Sequence, residues 1–367
     1  MKVGDKHYRS LWADEAQGVV HIIDQVWLPH IFETATIASA EAMADAIRGM
    51  RVRGAPLIGV AAAYGIALAV SRDPSDESIS NASALLRTTR PTAVNLAWAI
   101  ARMRESLAAT RLSERLVVAW NEAQAIADED VALNEGIGRH GLALLEREYA
   151  ARKRPINILT HCNAGWIATV DWGTVTAPIF MAHDRGIPVH VWVDETRPRN
   201  QGLLTAWELA GHGVPHTLVV DNAGGHLMQR GMVDLVMVGA DRVTRRGDVC
   251  NKIGTYLKAV AARANNVPFY AAVPTPTIDS GIEDALREIP IEERAEDEVR
   301  IVRGLIGGAF AEVTIAPDTT PVANPAFDVT PAELVTAIIT EKGTVRATEK
   351  ELLGFWPRSK QNKAYLT

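Results

Sequence analysis

Ile156-Asn157-Ile158-Leu159-Thr160-His161-Cys162-Asn163 is the stretch on which the fold of this sequence turns. A short run rich in Ile and Leu, closed by polar residues, predicts a buried strand that presents side chains at its carboxyl end. Upstream stands the basic link Arg152-Lys153-Arg154-Pro155, and before it the pattern is helical from Ile37 to about Glu146. Ser39 is placed to cap a helix over Ala40 to Met50, an Ala-rich helix follows from Pro56 to Ser71, and Pro91 sits where a further first turn begins. The boundary therefore falls at the basic link, giving units 1–150 and 151–367.

Downstream, further short β-rich runs alternate with helical patterns: Val189 to Val193, Thr217 to Val220, Leu235 to Val238, Phe269 to Val273 and Val313 to Ile315. Such alternation predicts an α/β unit with a parallel sheet covered by helices. Ahead of the helical unit, Val19 to Ile23 and Val26 to Leu28 read as strands of a small N-terminal sheet.

The chain has 367 residues, 47% hydrophobic and 22% charged, which fits a globular protein of two packed units. A net charge of -6 without a long basic run disfavours nucleic acid as a partner. The apolar run Ala55 to Val70 is short for a membrane span, and the start of the chain lacks an apolar signal region. Two cysteines, Cys162 and Cys250, are too few for a disulfide framework, so a cytoplasmic protein without a membrane partner is expected.

In open parallel sheets ligands bind beyond the carboxyl ends of strands, so chemistry is sought at the strand tips. Cys162 lies at one tip and reads either as a reactive thiol near backbone donors or as a small buried filler. His161 is its neighbour, but adjacent strand residues face opposite ways, which argues against a Cys-His dyad. Asp241 closes Leu235-Val236-Met237-Val238-Gly239-Ala240-Asp241 and reads either as a carboxyl held protonated by apolar surroundings or as a turn cap. Asn251-Lys252 is read as opening a helix over Ile253 to Ala264, a suitable place for a phosphate or polyol. Arg53-Gly54-Ala55-Pro56 before an apolar helix offers two backbone amides and a guanidinium to an anion, and Arg90-Pro91-Thr92 repeats that arrangement. No glycine fingerprint follows a strand, and neither a Walker A sequence nor a paired-cysteine metal motif occurs, so a reaction without cofactor or metal is expected.

Taken with Ile23-Asp24-Gln25, Ala61-Ala62-Ala63-Tyr64-Gly65, Asp194-Glu195-Thr196-Arg197-Pro198, Gln201-Gly202, Gly239-Ala240-Asp241-Arg242, Gly254-Thr255-Tyr256 and Asn324-Pro325-Ala326-Phe327-Asp328, these segments resemble the methylthioribose-1-phosphate isomerase family. Its superfamily also holds regulatory subunits of the exchange factor for translation initiation, the factor 2B alpha, beta and delta type, and ribose-1,5-bisphosphate isomerases. The resemblance implies a helical N-terminal domain followed by a Rossmann-like catalytic domain, and a homodimer. It implies an aldose-ketose isomerase of methionine salvage acting on 5-methylthioribose 1-phosphate, with Cys162 and Asp241 as the catalytic pair. Arg53, Gly54, Ala55, Arg90, Gln201, Asn251 and Lys252 would bind this small phosphorylated pentose. Alternatives are a 5-deoxyribose-1-phosphate or ribose-1,5-bisphosphate isomerase, a catalytically silent regulatory subunit, and, further off, a nicotinamide-dependent dehydrogenase.

The sequence departs from the family at Trp166 and Trp172, which either fill core or bear on the pocket around the substituent at C5, and at Arg199-Asn200. A phosphate on C1 blocks the free aldehyde, so ring opening needs an acid, assigned to Asp241. Cys162 then moves the C2 proton to C1 through an enediol, or the two groups handle oxygen-bound protons while hydride shifts directly.

Overall fold

The computed structural model describes residues 2–90 and 93–355, so Pro91 and Thr92 lie outside the described residues. A two-residue ribbon, β1 (Lys2–Val3) with β2 (Lys6–His7), precedes an antiparallel sheet of β3 (Leu11–Asp14), β4 (Val19–Ile23) and β5 (Thr34–Ile37). Val26 to Leu28, expected as a strand, is a turn instead. Asp24 accepts from the Val26 amide through its side chain and from the Trp27 amide through its carbonyl, which draws the backbone out of the extended form.

Five helices follow: α1 (Ala40–Arg48), α2 (Ala55–Arg72), α3 (Asp76–Arg87), α4 (Val94–Ala108) and α5 (Arg115–Arg152). Ser39 caps α1, its hydroxyl accepting from the Ala42 amide at 3.1 Å. Helix α2 is apolar around its whole circumference and buried around it, the pattern of a core helix rather than a surface one. The 38-residue α5 gives Ala119, Ala123 and Ile126 to the helical core and Ile137, Leu142 and Leu145 to the core under the main sheet.

The second half alternates strand and helix: β6 (Ile156–Thr160), α6 (Thr176–Asp184), β7 (Val189–Asp194), α7 (Gly202–His212), β8 (His216–Val219), α8 (Ala223–Gln229) and β9 (Leu235–Val238). Then come β10 (Arg242–Thr244), β11 (Val249–Lys252), α9 (Thr255–Ala264), β12 (Phe269–Ala272), β13 (Ile278–Asp279), α10 (Ala285–Glu288), α11 (Asp297–Arg300), β14 (Ile301–Ile306), β15 (Ala309–Thr314), β16 (Phe327–Thr330), β17 (Ala337–Thr340), β18 (Gly343–Val345) and α12 (Glu349–Leu352). The main sheet has the order β18-β17-β12-β9-β6-β7-β8, parallel except for β18. Successive residues of β9 serve opposite cores, Leu235 and Met237 on the α6 and α7 side, Val236 and Val238 on the α8 and α9 side. Helices on both faces explain why these strands read as continuous apolar runs.

One further expectation about strands is corrected, and one strand was not foreseen. Val313 lies in the antiparallel hairpin β14-β15, outside the main sheet, whereas β17, unrecognised in the sequence, is the strand that pairs with β12. The hairpin is half exposed, and the four-residue run Ala337–Thr340 is too short for periodicity to identify. Asn251 and Lys252 do not open a helix. They end β11, paired with Asp328 and Phe327 of β16, and Gly254 at φ 102 separates them from α9.

Candidate active site

The chain runs β6, β7, β8 in one direction across the sheet and then returns to place β9 on the other side of β6. That reversal opens a crevice between the carboxyl ends of β6 and β9. Cys162 stands two residues beyond β6 and Asp241 three residues beyond β9, so the strand tips singled out in the sequence flank the crevice. All nine sequence-predicted site residues line one cavity there: Cys162 and Asp241, Arg53, Gly54 and Ala55 from the start of α2, Arg90 before α4, Gln201 before α7, and Asn251 with Lys252 at the end of β11.

Cys162 adopts φ 67, a left-handed conformation that costs a non-glycine residue roughly 1–3 kcal/mol and persists only when its surroundings enforce it. Two threonines do so. The Cys162 amide donates to Thr196 Oγ1 and Thr205 Oγ1 donates to the Cys162 carbonyl, each at 2.8 Å. Burial pushes the thiol above its usual range, while Arg53 and then Lys252 pull it back toward the thiolate. His161 takes no part in this. Its ring nitrogens meet Asp194 Oδ2 at 3.0 Å and the Ile253 carbonyl at 2.8 Å, as the objection to a dyad anticipated. His161, Asp194 and Asp221 cluster closely enough to suggest a metal, but the Lys258 ammonium already meets Asp194 at 3.1 Å and also donates to the Asp221 carbonyl.

Asp241 has its carboxyl raised above the ordinary range by burial, against the pull of Arg90, Lys252 and Arg53. Its surroundings are thus less apolar than the sequence suggested, and the balance of burial against three cations sets its protonation. Lys252 is lowered by burial and supported by Cys162 and Asp241. Asn251 donates to Thr255 Oγ1 at 3.0 Å, whereas Gln201 leaves its buried Oε1 without a hydrogen-bond partner, an acceptor placed for a hydroxyl.

Arg53 is partly committed elsewhere. Its guanidinium donates to both the side chain and the carbonyl of Asn163, the residue after the cysteine. Asn163 in turn donates to Glu208, which also takes the Trp166 amide at 2.7 Å, and burial lifts the Glu208 carboxyl to about 7. Glu208 escaped the sequence reading, although a carboxylate inside the apolar helix Leu203-Leu204-Thr205-Ala206-Trp207-Glu208-Leu209 signals a buried polar partner. Arg294 was also missed, because the excursion after β13 has no strand tip or helix start to mark it. Trp166 and Trp172 belong to the core and neither lines the cavity, so of the family departures it is Arg199 that reaches the pocket.

The two thiols differ sharply. Cys250 is buried in β11 and pushed up to about 12 by burial, then by Asp241. A thiol alkylating reagent should modify Cys162 and spare Cys250 in the folded protein, and a phosphorylated substrate should protect Cys162. Mass spectrometry of the labelled peptides checks this, and equal labelling of both cysteines contradicts it.

Residues 51–347 match the model of the initiation factor 2 subunit family. The chain belongs to that family. Within it, the chain is 59% identical to a methylthioribose-1-phosphate isomerase of Sinorhizobium medicae (strain WSM419), over 97% of this chain and 99% of the relative. It is 57% identical to a protein of the same name from Gluconobacter oxydans (strain 621H), over the full length of both. Among solved structures of the family, 5-methylthioribose 1-phosphate isomerase of Pyrococcus horikoshii OT3 superposes with a TM-score of 0.81 at 40% identity, covering 96% of this chain and 97% of that one. The translation initiation factor eIF-2B subunit delta from A. fulgidus superposes with a TM-score of 0.77, also at 40% identity, over 95% of this chain and 100% of that one.

Proposed function

We propose that this protein is an aldose-ketose isomerase that converts 5-methylthioribose 1-phosphate to 5-methylthioribulose 1-phosphate, a step of methionine salvage. The observation that carries the reading is 57–59% identity over essentially the whole chain to relatives of that name. The chemistry of the cavity supports it. Asp241 in its acid form protonates the ring oxygen as the bond from that oxygen to C1 breaks. Cys162, deprotonated against its burial with the help of Arg53 and Lys252, takes the C2 proton and returns it to C1 of the enediol. The Asp241 carboxylate left by the first step takes the proton of the C2 hydroxyl, which restores both groups.

The phosphate is assigned to the start of α2, where unsatisfied amides and the helix dipole favour an anion, together with Arg90 and Lys252. Fixed cations of this kind serve ground and transition states alike. Arg90→Ala and Lys252→Ala should therefore raise KM by about 10- to 100-fold, the scale of a lost charge-assisted hydrogen bond, with a smaller fall in kcat. Steady-state kinetics tests this; a large fall in kcat at unchanged KM would give these residues a transition-state role instead.

We further propose a homodimer. Tyr256, Leu257 and Val260 share one exposed face of α9, an apolar strip suited to a second copy. Sedimentation equilibrium decides it. The reaction itself is tested with a panel of pentose 1-phosphates differing at C5, following ketose 1-phosphate formation by NMR. Turnover of the methylthio compound is expected, and absence of a ketose product from every member overturns the reading.

A further inference from the structure

Behind Arg90 the charges alternate along a chain of ion pairs. Arg90 Nη2 lies 3.4 Å from Glu292 Oε2, and Glu292 Oε1 accepts from Arg294 Nη1 at 2.8 Å. Arg294 is clasped in turn by Glu298, with contacts of 2.6–2.9 Å, and Glu298 also accepts from Arg199 at 2.9 Å. Arg90, Arg199 and Arg294 line the cavity; Glu292 joins two of them without lining it. One end of the chain is saturated. Burial opposes ionisation of Glu298, but its arginine partners hold it at about 2.

The other end is slack. Arg90 Nε and Glu292 Oε2 are both buried, and neither has a hydrogen-bond partner. Buried polar groups in native proteins are almost always paired, so this loose contact calls for an explanation. Arg90 also has a second claimant, because it lines the same cavity as Asp241 and favours its carboxylate.

We infer that Glu292 is a positioning residue for the reaction, setting from behind the cavity wall how far the Arg90 guanidinium is given to Asp241, which lines the same cavity. The inference rests on the isomerase reading and extends it to a group that does not touch the substrate. The charges facing Asp241 are Arg90, Lys252 and Arg53, which favour the carboxylate, and Glu292, which opposes it together with burial; the Cys162 thiol shares the cavity. On the β11 side the Cys250 carbonyl takes the Asp241 amide, and the Cys250 thiol is held protonated. Glu292 itself faces Arg90 and Arg294. Removing its charge leaves Arg90, still held by the Met50 sulfur at 3.3 Å, without a carboxylate partner behind it and freer to act on Asp241 and the substrate phosphate, so Asp241 ionises at lower pH.

The test compares kcat against pH for the wild type and Glu292→Gln. In parallel, the infrared band of the protonated Asp241 carboxyl is titrated, identified by difference against Asp241→Asn. The basic limb and the band should both move to lower pH by about one unit, so that kcat on the alkaline side of the wild-type limb falls about tenfold and is regained on acidification. Glu292→Asp, which keeps the charge, should retain the wild-type limb. Arg294→Gln, which frees Glu292 for Arg90, should move the limb the opposite way and serves if Glu292→Gln does not fold. An unmoved band, or a kcat lowered by one factor at every pH, overturns the inference. A wild type without turnover overturns the isomerase reading instead, and the infrared titration still judges Glu292.

Discussion

Replacement of Cys162 by Ser, or of Asp241 by Asn, should lower kcat by at least ~100-fold, because positioned acids and bases typically contribute about that much. The substitutions are nearly isosteric, so the melting temperature should stay close to that of the wild type. Serine keeps the hydrogen bonds that Thr196 and Thr205 make to the backbone at this position, yet its hydroxyl does not ionise near neutrality. Asparagine retains the shape of Asp241 but supplies no acidic proton to a ring oxygen. Turnover within a few-fold of wild type in either variant would remove that residue from the proposed chemistry.

The second large effect should fall on the fold. Gly54 has φ 100, and a Cβ placed there would stand 2.3 Å from the Ala168 carbonyl oxygen and 2.5 Å from its Cα. The contact is with backbone, so no side chain can swing away to relieve it. Gly54→Ala should destabilise the protein by at least about 3 kcal/mol, combining a strained backbone with a steric clash. It should also displace the start of α2 from the loop after Cys162, so that any folded fraction loses affinity for phosphorylated substrates. Urea unfolding followed by circular dichroism checks the first part, and a midpoint matching wild type would contradict it.

Much of this architecture was legible because parallel strands buried on both faces leave uninterrupted apolar runs, and β6, β7, β9 and β12 could be read from such runs nearly to the residue. The cap at Ser39 and the start of the apolar helix after Arg53-Gly54 followed from local chemistry in the same way. What escaped the reading depends on partners distant in sequence. Lys252 ends a strand only because Phe327 pairs with it. Of the two readings left open for Trp166, core filling holds because Trp207 and its neighbours close over it. The site was legible where a residue sits at a strand tip or a helix start. It was illegible for Glu208 and Glu292, whose places beside Asn163 and Arg90 are set by tertiary contacts across more than 40 residues, and for Arg294, which reaches the cavity alongside Glu292.

The left-handed turn at Cys162 bears on how such a position persists over generations. Backbone sterics alone would prefer glycine there, which adopts φ near 67 without strain and carries no thiol to oxidise. On the proposed chemistry, a lineage with no need of the reaction would gain stability by discarding the cysteine, and drift at this one codon would run downhill. A cysteine at such a place is what the proposed chemistry would require and what backbone sterics alone would not select.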